Sequence, residues 1–352
     1  MDEKSKIDRK GEMMMKKLVM PIFIVFVLSI ILSGCSSNKS TAKGEEDKVL
    51  QYQGSPGIIS FPELAEDLGY LGDLKLEYIG DSTGGPESIQ LTATKQIDFG
   101  AAFNGAIIKS YAENVKLKSV VGYYGSDENT YMGAYVLEGS PIKSAEDLIG
   151  KKIGVNILGA HAEFAVKDYL RKGGLTEKEI EQVTLVTIPM SNGEQALRNQ
   201  QLDAVVLGGT SSIARDRALE RGGIVELFSD IEVFGSEFTA GDLFFSEQYI
   251  KDNPNTVKQV VEGVAKAIEW AQTTPREEVI SRFEDIIDKR GRKETKDNLK
   301  YWKSTGIAEK GGVITSSEFE VWIEWLVKND ELKEGQVKAE DLYTNEFNPF
   351  AQ

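Results

Sequence analysis

The 352-residue chain contains a single cysteine and a single histidine, and these two shortages exclude several classes of protein. One cysteine cannot form an internal disulfide, so no disulfide framework supports the fold. One histidine, His161, leaves no second imidazole for a histidine metal cluster. A Ser-His-Asp arrangement would need His161 as its base, but no G-x-S-x-G elbow occurs. Phosphate-loop and dinucleotide motifs are also missing. The sequence therefore predicts a protein that is not an enzyme and that needs no cofactor and no metal.

Positive charge is also in short supply. The 41 Lys and Arg residues face 56 Asp and Glu residues, which gives a formal net charge of −15. This balance argues against nucleic acid as a partner, because phosphate backbones bind to basic surfaces. It does not exclude a small anion, which responds to local dipoles more than to net charge. Hydrophobic residues make up 41% of the chain, enough to build a core.

The N-terminal segment is typical of a secretory signal. Lys16 and Lys17 precede an apolar run, "LVMPIFIVFVLSIIL", which is short for a membrane span and ends in small residues. The ending "LSGC" resembles a bacterial lipoprotein signal, which implies that Cys35 receives lipid and becomes the new N-terminus. The alternative is an uncleaved anchor helix. We expect residues 1–34 to be the signal and residues 35–47 to be a flexible tether.

The first twelve residues are unusual for such a signal, because acidic residues precede the basic start. Lys10-Gly11-Glu12 can be encoded by a sequence that resembles a ribosome-binding site. We therefore expect translation to begin at Met14 or Met15, so that residues 1–12 are not translated.

From Lys48 onward, strand-like runs alternate with helix-like segments, which predicts parallel sheets covered by helices. The first series contains "VLQYQG", "LKLEYIG", "IDFGAAF" and "LKSVVGYY", and the second contains "KKIGVNIL", "VTLVTIPM" and "LDAVVLGG". Two extended segments, "TYMGAYVLEGSPIKS" and "FGSEFTAGDLFFSEQY", connect the series and would form a hinge. We predict an α/β fold of two parallel-sheet lobes joined by a two-strand hinge. Lobe 1 comprises residues 48–137 plus 238–352, and lobe 2 comprises residues 138–237.

The C-terminal third is predicted to be helical. Asn253-Pro254 begins a long amphipathic pattern, and Pro275 ends it and opens the next helix. Trp322 and Trp325 are three residues apart, so they share one helix face and are expected to pack in the core.

Several predicted strands end in small residues just before a helix. These ends are Asp81-Ser82-Thr83-Gly84-Gly85-Pro86, Asn104-Gly105, Gly159-Ala160-His161 and Thr210-Ser211-Ser212. Each places free backbone N–H groups and the positive end of a helix at the carboxyl edge of a sheet, where open α/β sheets bind ligands. Several such ends facing one cleft would hold an anion without a buried cation. The alternative for any one loop is a tight turn, and for His161 an exposed ring.

Three longer stretches are "GGPESIQLTATKQIDFGAAFNGA", "SPIKSAEDLIGKKIGVNILGA" and "EQALRNQQLDAVV". They resemble the solute-binding proteins of ABC importers for sulfonates, taurine and nitrate, the NMT1/THI5-like family. The resemblance implies a periplasmic-binding-protein type II fold whose lobes close on a small solute and deliver it to a membrane permease. The family's ligand loops fall on Gln53, Gly54, Ser55, Thr83, Gly84, Asn104, Gly105, Gly159, Ala160, His161 and Thr210.

The sequence departs from the family pattern at two ligand loops. Gly208-Gly209-Thr210 stands where many members have an aromatic-acid-proline group, and Phe103-Asn104-Gly105 stands where many have a proline. Related proteins bind aminopyrimidines by aromatic stacking, for which Tyr52, Phe103, Tyr123 and Tyr124 are candidates here.

The sequence thus predicts a monomeric, extracytoplasmic solute-binding lipoprotein, anchored to the cell membrane by a lipid on Cys35. Its expected solute is a small anion such as a sulfonate, taurine or nitrate. The alternatives are a receptor for a thiamine-precursor pyrimidine, a surface sensor, and an enzyme on the same fold.

Overall fold

A computed structural model describes residues 45–209 and 212–351 of the chain. Residues Glu46–Gln352 form one compact unit. In these two described ranges, no helix is both long and apolar enough to cross a membrane. The predicted signal segment, its Cys35 and the predicted ligand residue Thr210 lie outside the described residues. Part of the predicted tether is fixed, because the backbone N–H of Asp47 donates to Asn253 Oδ1 over 2.9 Å.

One part of the unit, which we call lobe 1, combines N-terminal and C-terminal segments and is built on two sheets. Strands β1 (Val49–Gly54) and β2 (Lys75–Asp81) pair in parallel. Strand β10 (Phe238–Ser246) runs antiparallel between β3 (Phe99–Phe103) and β4 (Leu117–Ser126). The helices of lobe 1 are α1 (Phe61–Asp67), α2 (Gly85–Ala93), α3 (Asn104–Ala112), α9 (Glu247–Asp252), α10 (Pro254–Thr273), α11 (Arg276–Arg290) and α12 (Ser317–Lys328).

The other part, which we call lobe 2, comes from the middle of the chain and is built on one five-stranded sheet. Its strand order is β7 (Thr184–Thr187), β6 (Lys152–Val155), β8 (Ala204–Leu207), β5 (Gly133–Leu137) and β9 (Ile224–Ser229). Its helices are α4 (His161–Lys172), α5 (Glu177–Ile180), α6 (Met190–Arg198) and α7 (Ile213–Glu220), and the short α8 (Asp230–Phe234) leads back to lobe 1.

The α/β class is confirmed, and the sheets are mixed rather than purely parallel. Strand β6 pairs in parallel with β7 and β8, as alternating strands and helices require. Strands β5 and β10 run antiparallel to their neighbours, and each follows a segment that crosses from the other lobe. The predicted division assigned residues 133–137 to lobe 1, and β5 pairs with β8 and β9 of the five-stranded sheet.

The C-terminal helices follow the predicted boundaries. Helix α10 spans Pro254–Thr273 and buries a stripe of Val and Ala residues, and α11 begins directly after Pro275. On α12, Trp322 is only 2% exposed, and Trp325 is half-buried with its indole N–H donated to Asp168 Oδ1 of α4 over 3.0 Å. The shared face predicted for this pair therefore packs against lobe 2 as well as against lobe 1.

Two segments cross between the lobes, one between β4 and β5 and the other between β9 and β10. Asp230, fully buried in the returning segment, holds both of them. Its carboxylate accepts from Ser126 Oγ at 2.6 Å and from the Met132 backbone N–H at 3.2 Å. Its own N–H donates to the Met132 carbonyl over 2.9 Å. These bonds fix the crossings to each other where a hinge would bend.

An aromatic cluster also joins the lobes beside these crossings. It consists of Phe103, His161, Phe164, Phe234, Phe238 and Trp322. The Trp322 ring lies 4.7 Å from that of Phe103 and 4.6 Å from that of Phe234, both edge to face. Phe103 of lobe 1 stacks on His161 of lobe 2 with centroids 5.1 Å apart. Large apolar contact of this kind restrains relative motion of two lobes.

Candidate functional site

A cavity of about 710 Å³ lies between the two lobes. Its wall combines the ends of β1, β2, β3 and β4 of lobe 1 with the ends of β6, β7 and β8 of lobe 2. Thr83 and Gly84 of lobe 1 and Asn156 and Ile157 of lobe 2 are examples. Residues that follow a strand and precede the next helix contribute to the wall from both lobes, which is the position where open α/β sheets bind ligands.

Helices α1, α2, α4, α6 and α7 all begin at this cavity. The first turn of α1 is capped by Ser60, whose hydroxyl accepts from the Glu63 backbone N–H in a capping box. The starts of α2, α4, α6 and α7 have no side-chain cap from the described residues. Uncapped helix starts present unsatisfied N–H groups and a partial positive charge of about half a unit each. The cavity is therefore electrostatically suited to an anion.

The described part of this wall is uncharged. Among the lining residues that the structure describes, none is Lys, Arg, Asp or Glu, and His161 is the one histidine. Two lining amides have buried carbonyl oxygens without a hydrogen-bond partner among the described residues, Gln53 Oε1 and Asn156 Oδ1. These amides are the polar groups best placed to fix the orientation of a ligand, because buried amide atoms ordinarily have partners.

Aromatic side chains line much of the remaining wall. The Phe61 and Tyr123 rings meet edge to face at 6.1 Å, and the Phe283 and Trp302 rings do so at 5.6 Å. Burial raises the pKa of the Tyr123 hydroxyl far above its usual value, so the group is neutral at physiological pH. This part of the wall offers rings and no charge.

The structure brings together seven of the eleven ligand residues expected from the sequence. Gly84 lies against the opposite lobe: its φ is +148°, and a Cβ there would lie 3.2 Å from Ile157 Cγ2. Only glycine fits this position without strain. The residues that line the cavity are Gln53, Gly54, Ser55, Thr83, Gly84, Ala160 and His161.

Three other expected residues are not in the wall. Asn104 is fully buried, and its side chain points into lobe 1 near Asp242. Gly105 allows α3 to pack closely, since a Cβ there would lie 2.5 Å from the Phe103 ring and 2.9 Å from the Phe164 ring. Gly159 adopts a φ of +75° in the turn before α4, and its N–H donates to Glu163 Oε2 over 2.6 Å. That N–H therefore already has a partner within the same segment.

The buried group beside Asn104 is a pair of carboxyls. Burial raises the pKa of Asp242, and burial followed by the charge of Asp242 raises that of Glu318. Asp242 is fully buried and Glu318 nearly so. The polar side chains of Asn104 and Ser119 nearby lower the pKa of Asp242 and offset only part of the effect of burial. The pair therefore holds a proton in the folded protein at pH values where an exposed carboxyl has lost it.

His161 is the N-terminal residue of α4 and is 3% exposed. Its Nε2 lies 3.2 Å from Asp230 Oδ2, although the two atoms do not form a hydrogen bond. Ser126 donates to the same carboxylate and not to the imidazole. A nucleophilic triad requires the histidine between serine and carboxylate, so these three residues do not form one.

Asn156, Met190 and Trp302 also line the cavity, and the sequence did not single them out. Asn156 directly follows β6, so its position at the carboxyl end of a strand was an available signal. Met190 begins α6 after Pro189, which is also recognisable locally. Trp302 belongs to the chain after α11, which comes to the cavity only through tertiary packing, so no local pattern identifies it.

Solved structures place this geometry in a known fold. The alkanesulfonate-binding protein SsuA of Xanthomonas axonopodis pv. citri, solved bound to MOPS, superposes with a TM-score of 0.65 at 17% identity, covering 86% of this chain and 99% of that chain. The periplasmic nitrate-binding protein NrtA of Synechocystis PCC 6803 gives 0.63 at 12% identity, covering 85% and 87%. The desulfurization enzyme DSZB gives 0.57 at 15% identity, covering 86% and 97%.

The fold is thus the periplasmic-binding-protein fold. No curated protein matches the sequence. The family model described as NMT1/THI5 like matches residues 64–278, and the chain belongs to this family. The matched range contains both crossings, four of the five helices that begin at the cavity, and the C-terminal part of α1.

Proposed function

We propose that this protein is the extracytoplasmic solute-binding component of an ABC importer, which captures a small anionic solute between its lobes and delivers it to the permease. The observation that carries the proposal is one interlobe cavity at which four helices begin without a side-chain cap. The structurally similar sulfonate-binding and nitrate-binding proteins support the same class of function. Sulfonate, taurine and nitrate are the solutes expected from the sequence.

An anion in this cavity would be held by backbone N–H groups and helix ends. Such donors need no desolvated Lys or Arg, and they favour negative charge within the first turn of each helix. The proposed ligand contacts are the seven expected residues of the wall, together with Asn156. The neutral amides of Gln53 and Asn156 would orient the solute by hydrogen bonding, since an amide nitrogen carries two N–H donors that an anionic oxygen can accept.

Solute capture would close the lobes about the two crossings. Asp230 joins the crossings, and the aromatic cluster beside them provides a pivot that stays packed during rotation. A lipid on Cys35 would keep the closed receptor near the permease on the outer face of the cell membrane. A single acyl chain holds a protein only weakly at a membrane, so firm anchoring would use two acyl chains. The working unit in this proposal is a monomer.

A non-enzymatic role is part of the proposal, although one structurally similar protein is an enzyme. It is supported by the arrangement of Ser126, Asp230 and His161, which does not form a nucleophilic triad. In the described part of the chain, no group of His, Cys, Asp and Glu is arranged to hold a metal ion.

Isothermal titration calorimetry of the full chain tests the proposal directly. We expect saturable binding of at least one of taurine, a short alkanesulfonate, a larger sulfonate or nitrate. Binding of an aminopyrimidine with no response to any of these anions would favour the alternative receptor, for which the rings of Phe103, Tyr123 and Tyr124 are available in the wall. Product formation from a bound solute without a permease would favour an enzyme.

A matched pair of variants tests the backbone donors. Met190 is the first residue of α6, and the preceding Pro189 has φ −52° and ψ 132°, which is compatible with a following proline. Met190→Pro and Met190→Ala both remove the side chain, but only Met190→Pro removes the N–H, and proline is tolerated at this helix position. We expect Met190→Pro to bind the anion about tenfold more weakly than Met190→Ala. Equal affinities would exclude α6 from the anion site.

A further inference from the structure

The cavity is much larger than nitrate or taurine. Its volume of about 710 Å³ lies within the range of pockets for drug-sized ligands, about 300–1,000 Å³. At about 30 Å³ per water molecule, it has room for on the order of twenty waters. A solute of a few atoms would leave most of this space filled with water.

Contacts between the lobes show that this volume does not come from widely parted lobes. On one side, Ser212 Oγ donates to the Tyr301 carbonyl over 2.8 Å, and Lys303 Nζ lies 2.9 Å from Asp216 Oδ2. Elsewhere, Trp325 donates to Asp168 over 3.0 Å. The lobes already touch in several places, so the volume belongs to a cleft that is largely closed.

The aromatic rings in the wall make water in that space unfavourable. Phe61, Tyr123, Phe283 and Trp302 form two edge-to-face ring pairs on lobe 1. Buried water is stable where it makes about three hydrogen bonds to polar groups, and rings supply few of these. A ligand that covers the rings would gain free energy by displacing that water.

The lack of charged side chains among the described lining residues restricts the charge that the ligand can carry. Without Asp or Glu among the described lining residues, an ammonium group has no carboxylate to pair with, which disfavours a zwitterion such as taurine. Without Lys or Arg, a dianion would depend on helix ends and neutral donors alone. A single negative charge fits this wall best.

Building on the proposed function, we propose that the solute is an organic monoanion with a bulky, uncharged, ring-bearing body. Its anionic head lies at the uncapped helix starts, and its body lies against the ring pairs of lobe 1. Aromatic packing of this kind adds to the affinity beyond simple area burial.

Calorimetry with the full chain and a graded set of probes tests this inference. The probes are nitrate, taurine, methanesulfonate, naphthalene-2-sulfonate and the neutral naphthalene-2-sulfonamide. We expect naphthalene-2-sulfonate to bind about 100-fold more tightly than taurine, and at least about tenfold more tightly than the sulfonamide. Nitrate or taurine as the tightest ligand would overturn the inference and leave the proposed function standing. Saturable binding by none of the probes would overturn both. A sulfonamide that binds as tightly as the sulfonate would refute the anionic head.

Two variants with a matched control locate the body of the ligand. Trp302→Ala and the milder Phe61→Leu each alter one ring pair, and Trp270→Ala removes a half-buried tryptophan outside the cavity wall. We expect Trp302→Ala to weaken naphthalene-2-sulfonate about tenfold and Phe61→Leu to weaken it less, with methanesulfonate affinity unchanged. Trp270→Ala should leave both affinities unchanged. If neither cavity variant alters the ratio of the two affinities, the rings do not contact the ligand and the inference fails.

Discussion

Replacing Trp322 by alanine tests whether the aromatic cluster holds the two lobes together. Trp322 is 2% exposed, and its ring contacts Phe103 of lobe 1 and Phe234 of the returning segment. The substitution would open a cavity at the junction of both lobes and the second crossing. The effect should therefore appear in the stability of the whole unit rather than of one lobe.

The magnitude follows from the burial. A buried tryptophan removes roughly 200 Å² from water, which at about 25 cal/mol per Å² corresponds to about 5 kcal/mol. Alanine keeps part of this burial. The Trp322 indole N–H is buried without a partner among the described residues, so its removal relieves a cost of about 1 kcal/mol. We expect the free energy of unfolding to fall by about 3–4 kcal/mol, in the usual range for such substitutions.

Equilibrium denaturation of the full chain, followed by far-UV circular dichroism, measures this loss. Trp322→Phe keeps a ring and lacks the N–H, so it should cost less than about 1.5 kcal/mol. Trp270→Ala provides a control outside the cluster, and its half-buried side chain should cost about 2 kcal/mol. A loss for Trp322→Ala no larger than that for Trp270→Ala would refute the role given to the cluster.

Three further predictions concern the core, the hinge and the anion site. Asp242 and Glu318 have raised pKa values in the folded state, so the folded protein keeps protons that the unfolded chain releases above about pH 4. The free energy of unfolding should therefore fall as the pH rises from about 4 through the pKa values that Asp242 and Glu318 have in the folded protein. Asp242→Asn should reduce the difference between the melting temperatures at pH 5 and pH 9. A variant whose difference equals that of the wild type would contradict this prediction. Asp230→Ala, which frees Ser126 Oγ and the Met132 N–H, should lower stability by about 2–4 kcal/mol in urea titrations, and a loss below about 1 kcal/mol would exclude Asp230 as the clamp of the crossings. Met190→Pro should bind the anion about tenfold more weakly than Met190→Ala in calorimetry.

Local patterns predicted the elements that bury a regular apolar face. Strand β1 occupies the predicted residues Val49–Gly54, and α10 begins at Pro254 as its proline indicated. These elements follow from periodicity and from capping chemistry, which are local properties. Strand β9 (Ile224–Ser229) was not predicted, although its Ile and Val residues favour a strand.

The direction of side chains at the predicted ligand loops was harder to predict. Asn104 and Ala160 both stand at the start of a helix after a strand, yet Ala160 lines the cavity and Asn104 faces the buried Asp242. Both positions have the same local signature, and only the packing of the helix on its sheet decides which way the side chain points. The ring of Trp302 shows the same limit, since it reaches the wall from a distant part of the chain.

The size of the cavity was also outside the reach of the sequence. Small residues such as Gly84 predicted a close approach between ligand and main chain, which suits a small anion. The ring pairs Phe61–Tyr123 and Phe283–Trp302 favour a larger ligand than a small anion. The sequence could not predict these pairs, because the two rings of each pair come from segments that are separated along the chain. Recognition of an anion is thus a local property of helix starts, whereas the ligand body depends on tertiary structure.

The central claim is that uncapped helix starts in the interlobe cavity bind the charged group of an anion. A crystal structure of the protein with 6-bromonaphthalene-2-sulfonate, using the anomalous signal of bromine to locate the ring, tests it most directly. The account predicts bromine inside the cavity and sulfonate oxygens within about 2.7–3.2 Å of backbone nitrogens in the first turns of α2, α4, α6 or α7. A sulfonate held instead by Lys or Arg side chains outside the cavity would contradict it.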